Sequence, residues 1–236
     1  MKTPDISIVI PVYNEEGILH SAVVDLITSL DELGWSYEIL LAENGSSDRT
    51  VAIGEELSEK YPQVSIHSLG APDYGRALKA GIERARGTFV LCDEIDLCDT
   101  DFHQRALGIL EHDEADLVVG SKVMQGAEDR RGFVRHSATL VINGMLRVLV
   151  GFHGTDTHGL KAFRRERLTG TLERCQLTRD LFSSEFVIRA EREGKRVTEI
   201  PVHIVEKRPA PINLFKRVPK VLRDITRLTW MIRVKG

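Results

Sequence analysis

Ile6-Ser7-Ile8-Val9-Ile10-Pro11-Val12 opens the chain as a short β-branched run, and a helix pattern, not a second strand, follows it. So short a run of Ile and Val reads as a buried strand. From position 15 to 33, apolar residues recur at 18, 19, 22, 23, 26, 27, 30 and 33, the spacing of one helix face, and Gly34 supplies a stop. Working outward, residues 37–42 predict a second strand, and Asn44-Gly45-Ser46-Ser47-Asp48 a turn that offers caps to a helix ending near Lys60. Further strands are expected at 64–69, 88–92 and 116–120, with helices at 75–85 and 101–112 between them. Strands alternating with helices imply an α/β fold: a Rossmann-like, mostly parallel sheet with helices on both faces. Beyond Ser121 the pattern changes to a polar loop at 122–135, an apolar helix at 138–150, a short helix at 185–193 and a strand at 196–205. Pro209 and Pro211 mark a hinge before a basic helix from about Leu214. The expected organisation is one domain over 1–208 and a basic amphipathic C-terminal helix over 209–236.

Composition agrees with a packed domain. The chain has 236 residues, 42% of them hydrophobic and 28% charged, which excludes disorder of the whole. No uncharged apolar run approaches the ~20 residues of a membrane span, and no secretory signal is visible at the start. Three cysteines, Cys92, Cys98 and Cys175, form no CxxC pair, which argues for a reducing compartment and against a structural zinc site. The expected location is therefore the cytoplasm, with peripheral attachment to the inner face of the membrane. A net charge of −3 hides an asymmetry: residues 207–236 carry +8 and residues 1–206 carry −11. A basic tail on an acidic body points to an anionic partner for the tail.

In an open parallel sheet a ligand lies beyond the carboxyl ends of the strands. The residues falling there are Tyr13, Asn14, Glu15 and Glu16; Glu43, Asn44, Gly45 and Ser46; Asp93-Glu94-Ile95-Asp96; and Ser121-Lys122. Acids, an amide, glycines and a lysine on one edge suit a nucleotide with a metal-bridged diphosphate. Crowded carboxylates repel each other unless a cation sits among them, and hard oxygen ligands suit Mg²⁺ or Mn²⁺. The alternative for that segment is a solvated acidic turn leading into a helix start rich in acids, Asp99 and Asp101. His153 and His158 lack a third ligand at matching spacing and read as satisfied or solvated histidines. Cys92 and Cys98 read as core thiols.

The motifs, taken in order, resemble those of family-2 inverting glycosyltransferases of the GT-A fold, over roughly residues 6–208. The opening strand continues as Tyr13-Asn14-Glu15-Glu16. Glu43-Asn44-Gly45-Ser46-Ser47-Asp48-Arg49-Thr50 is similar to the family's Asp-Asp-Gly-Ser turn, and Gly75-Arg76-Ala77-Leu78-Lys79-Ala80-Gly81 to its helix start. Phe89-Val90-Leu91-Cys92-Asp93-Glu94-Ile95-Asp96-Leu97 falls on its strand ending in Asp-x-Asp-Leu. Gly120-Ser121-Lys122, Asp156-Thr157-His158-Gly159-Leu160-Lys161 and Glu199-Ile200-Pro201-Val202 resemble most the polyprenyl-phosphate (dolichyl-phosphate) mannose synthase type. Three departures stand out: Glu43-Asn44 for the aspartate pair, Glu94 for the first metal aspartate, and Lys122 for an arginine, which keeps charge but loses the bidentate fork.

The resemblance implies an enzyme that moves a sugar from a nucleotide-diphospho-sugar to a polyprenyl phosphate, with inversion and with a metal cofactor. It implies that Pro11, Tyr13, Glu15, Glu43 and Asn44 bind the nucleotide, and that Glu94 and Asp96 hold Mg²⁺ or Mn²⁺. Lys122, Arg135, Thr139 and Lys207 would hold the acceptor phosphate and leaving group, and Asp96, Lys122 and Asp156 would carry catalysis. For Asp156 a turn-capping role stands beside this one. Two other functions are compatible with the residues: transfer to a soluble alcohol, with Asp156 as base, and a non-catalytic nucleotide-sugar-binding relative. No Gln-x-x-Arg-Trp motif of processive synthases occurs. No nucleic-acid partner is expected, and an oligomer is compatible with the sequence.

In the tail, Leu214-Phe215, Val218, Val221-Leu222, Ile225, Leu228 and Met231-Ile232 recur at helical spacing among basic residues. Such a helix suits an anionic membrane interface, with Phe215 and Trp230 as anchors. Docking on the domain's own core, or a dimer contact, would use the same pattern.

Overall fold

A computed structural model describes residues 3–122, 124, 128–129, 133–179, 181–204 and 214–234; for 128–129, 133–140, 203–204 and 214–221 it describes the backbone alone. The first half alternates as expected: β1 Ile6–Val12, α1 Leu19–Glu32, β2 Tyr37–Glu43, α2 Thr50–Lys60, β3 Val64–Ser68, α3 Tyr74–Arg84, β4 Phe89–Cys92, α4 Thr100–Glu111 and β5 Leu117–Ser121. Helix α1 starts four residues later than the apolar spacing suggests. Residues 14–16 are held instead by the loop after β2. The N–H groups of Asn14, Glu15 and Glu16 donate to Ser46 Oγ, Thr50 Oγ1 and Asp48 Oδ2 at 3.0, 2.7 and 3.1 Å. Asn14 itself has left-handed backbone (φ 54°), which Asn tolerates. The acids ahead of α3 and α4 act as caps: Asp73 accepts from Arg76 N at 3.0 Å and Asp99 from Phe102 N at 2.9 Å.

The second half contains β6 Glu128–Asp129, α5 Phe133–Val150, β7 Lys161–Arg164, α6 Arg165–Arg174, α7 Leu181–Arg192, β8 Val197–Pro201, β9 His203–Ile204 and α8 Leu214–Arg233. The main sheet has the order β3-β2-β1-β4-β7-β5-β8, and β6 and β9 form a separate two-stranded piece. Every pairing in the main sheet is parallel except those of β7, which runs antiparallel between β4 and β5. Four points differ from the sequence reading. Strand β7 and helix α6 were not anticipated, α5 and α7 each begin earlier, the strand at 196–205 is split at Val202, and β6 falls within the expected loop.

Two apolar clusters, one on each face, hold the sheet between helices. Ile8 and Ile10 face α1 and α4 with Val23, Leu26 and Phe102, while Val9 faces α3 and α7 with Leu78, Phe182 and Phe186. This alternation is the period-2 signature of a strand covered on both faces. Each such side chain, fully buried, contributes roughly 1.5–3 kcal/mol relative to exposure. Helix α8 adds Ile225, Leu228, Met231 and Ile232 to the second cluster, against α5 and α7. The described C-terminal half of the tail's apolar stripe is thus packed on the domain's own core, while Leu222 is exposed.

Candidate active site

A cleft of about 510 Å³ opens beyond the carboxyl ends of β1, β2, β4 and β5, where the strand order reverses across β1. Pro11, Val12 and Tyr13 form one wall, with Tyr13 45% exposed, and Asn44 and Tyr74 come from the end of β2 and the start of α3. Glu15, Glu94, Ile95, Asp96, Lys122 and His158 complete the lining. Seven of the expected site residues, Pro11, Tyr13, Glu15, Asn44, Glu94, Asp96 and Lys122, therefore meet in one place.

Glu43 does not. Its side chain is fully buried, and its two carboxylate oxygens accept from Ser46 N and Ser68 Oγ. It fixes the turn that presents Asn44, whose Oδ1 in turn accepts from Asp73 N. Gly45 (φ 74°) must be glycine here, because a Cβ would lie 2.7 Å from the backbone of Ala71. One anchored turn thus locks β2 to the capped start of α3, and with it Tyr74.

At the end of β4 the acidic run divides. Asp93 is buried: Oδ1 accepts from Glu94 N at 2.7 Å, and Oδ2 lies 2.6 Å from His103 Nε2 of α4, close enough for an ion pair although not aligned as a hydrogen bond. Glu94 and Asp96 are left facing the cleft. The Glu94 side chain keeps 38% of its surface open, with Oε1 4.0 Å from Lys122 Nζ. Dense packing around its carboxyl pushes the pKa up, Asp96 and Asp93 add to the shift, and Lys122 opposes it. Lys161 lies beneath, 3% exposed, with Nζ donating to Gly159 O at 2.8 Å. Burial drives its pKa down, while Asp156 and Glu94 favour its charge. Burial also pushes the Cys92 thiol up to about 12, which leaves it an inert core group.

The turn before β7 closes the far end. Asp156 is 4% exposed; Oδ1 accepts from His158 N at 2.8 Å and Oδ2 lies 3.4 Å from Lys122 N. Gly159 packs so tightly on Gly120 that a Cβ would overlap its carbonyl. His153 sits apart, 88% exposed and 3.9 Å from Glu191, so the two histidines make no pair. Arg135 and Thr139 fall on α5 where only the backbone is described, and Lys207 lies outside the described residues.

Residues 7–172 match the glycosyl transferase family 2 profile. The chain belongs to this family. Among its relatives, glycosyltransferase AglD of Haloferax volcanii is 26% identical over 98% of this chain and 38% of its own length. The undecaprenyl-phosphate 4-deoxy-4-formamido-L-arabinose transferase of Salmonella typhimurium is 32% identical over 86% of this chain and 60% of its own. A dolichyl-phosphate beta-glucosyltransferase of Trichomonas vaginalis is 28% identical over 84% and 64%. The chain thus spans between 38% and 64% of these curated relatives. Among solved structures, glucosyl-3-phosphoglycerate synthase of Mycobacterium tuberculosis with Mg²⁺ and UDP superposes with a TM-score of 0.65 at 19% identity, over 96% of this chain and 79% of that one. The fold is the GT-A fold that the motifs imply.

The cleft of this family-2 domain contains two residues that the strand-end rule missed. Tyr74 arrives from a helix start and His158 from the turn before an unanticipated strand. For Tyr74 the signal was the capping Asp73 beside it. For His158 the signal was its place in the Asp156-Thr157-His158-Gly159 motif.

Proposed function

We propose that this domain transfers a sugar from a nucleotide-diphospho-sugar to a polyprenyl phosphate, with inversion, peripherally at the inner face of the membrane. The observation that carries this reading is the lining of the cleft: an aromatic wall together with two carboxylates and a lysine 4.0 Å from one of them. Pro11, Tyr13 and Tyr74 suit a nucleobase, with Glu15 and Asn44 as polar contacts. Lys122 and, on α5, Arg135 and Thr139, together with Lys207, suit the anionic acceptor and leaving groups.

Glu94 and Asp96 fit Mg²⁺ or Mn²⁺ by their chemistry: two hard oxygen ligands face one cleft. Among the described residues no group of three His, Cys, Asp or Glu could hold a metal, so diphosphate oxygens and water would complete the shell. Bound there, the ion would offset the charge of the departing diphosphate. The names of the relatives support the acceptor class: two act on undecaprenyl or dolichyl phosphate. A phosphate acceptor arrives ionised and needs no base. Asp156, buried and occupied by the His158 and Lys122 amides, is better placed to hold the turn than to take a proton.

No helix among the described residues is long and apolar enough to cross a membrane. The exposed face of α8 carries Leu222, Arg223, Arg227, Trp230, Arg233 and Val234, which suits an anionic bilayer surface. A thermal-shift panel of nucleotide sugars with and without Mn²⁺ tests the donor half. Stabilisation by one donor, only with metal, is the expected result; no metal-dependent shift with any donor would refute it.

A further inference from the structure

Three strand ends meet at the transfer end of the cleft, and one side chain outside the cleft lining ties them together. Glu199 lies on the edge strand β8, in register with Val119 of β5. Its Oε1 accepts from Thr155 N at 2.6 Å and from Asp156 N at 3.0 Å, and its Oε2 from Thr155 Oγ1 at 2.7 Å. Thr155 Oγ1 lies 2.6 Å from Ser121 Oγ, next to Lys122. Gly154 makes room for this contact, since a Cβ there would lie 2.5 Å from Glu199 Oε1. A turn needs no carboxylate from a separate strand to form. Here one carboxylate collects three donors from two successive residues, and those residues lead to the acid and the lysine of the site.

We infer that Glu199 is a positioning residue for transfer: it fixes the 155–156 turn and through it Asp156 and Lys122. This rests on the proposal that Lys122 faces the acceptor and leaving groups, with Asp156 holding the turn beside it. Loss of the clamp lets the turn relax without touching the nucleotide wall, so turnover falls while donor binding holds. Glutamine keeps the shape of the clamp, because its carbonyl accepts both N–H groups and its amide donates to the Thr155 hydroxyl.

The test compares Glu199→Ala, Glu199→Gln and Asp156→Ala, with the donor that the thermal-shift panel selects and geranyl phosphate as acceptor. Hydrogen exchange of the 155–158 amides is followed in parallel. In Glu199→Ala, kcat falls about tenfold to hundredfold, on the scale of a charge-assisted clamp. Donor Kd changes less than about threefold, those amides exchange faster, and Glu199→Gln recovers most of the turnover. Wild-type kcat in Glu199→Ala, while Asp156→Ala is inactive, overturns the inference and leaves the functional reading standing. So does a loss of donor affinity as large as the loss of kcat. Full activity in Asp156→Ala removes the reading of Asp156 and the inference with it.

Discussion

Asp93, Glu94 and Asp96 show how differently neighbouring acids can be used. From their spacing alone all three were candidates for one cation. Asp93 turns into the core beside His103, a partner ten positions on that no local pattern reveals. Glu94 and Asp96 stay in the cleft, which sets an expectation for mutants. Asp96→Ala should lose the metal-dependent part of the donor-induced thermal shift while melting, without ligand, within a few degrees of wild type. Glu94→Asp keeps a hard oxygen ligand and should retain that shift. Calorimetry of nucleoside diphosphate with and without Mn²⁺ checks both; wild-type metal dependence in Asp96→Ala would dismiss the ligand pair. The strand-end residues of the site were legible because parallel strands deliver ligands there. Glu43 is expected in the site both by its place after a strand and by motif, and the structure buries it instead. Its burial depends on Ser68, twenty-five positions away, a contact that sequence spacing does not encode.

The elements that sequence made legible are the strands β1 to β5 and the helices α1 to α4 between them. Strand β7 was not, because four residues with Lys161 and Arg164 at their ends carry no strand pattern. It exists because its backbone fills the gap between β4 and β5. At the far end of that sheet, Asp116 of the turn into β5 takes Arg196 N at 2.9 Å, with the Arg196 and Arg167 guanidinium groups around it. Those hydrogen bonds hold its carboxyl well below the ordinary carboxylate range. A depressed folded pKa contributes stability that is present above about pH 4 and is lost as pH falls below it. Asp116→Asn should therefore cost about 2 kcal/mol at pH 7 and less at pH 3, the remainder being lost only as pH falls through the depressed folded value. Urea unfolding at both values measures it, and an equal cost at both would assign the effect to packing.

Helix α8 was legible as amphipathic, but not which partner its apolar face had. Ile225, Leu228, Met231 and Ile232 lie on α5 and α7, so the proposed membrane contact is assigned to the outward face. Replacing Arg223, Arg227 and Arg233 with Gln should weaken binding to phosphatidylglycerol vesicles by about 1 kcal/mol per residue at low salt, with donor binding unchanged. Vesicle flotation equal to wild type would leave α8 as a packing helix alone.

At the scale of the molecule, one cleft is lined by Pro11, Tyr13 and Tyr74 and by Glu94, Asp96 and Lys122. Under the proposed function that lining receives two anionic substrates, with Lys122 shared between them. The central claim is transfer to a lipid phosphate, and the product tests it most directly. The protein is incubated with the selected nucleotide sugar, Mn²⁺ and either geranyl phosphate or geraniol, and the extract is analysed by mass spectrometry and by NMR of the anomeric proton. A glycosyl phosphate of geraniol, with the donor's anomeric configuration inverted, is the predicted product, and geraniol should remain unglycosylated. Glycosylation of geraniol with geranyl phosphate untouched would contradict the account.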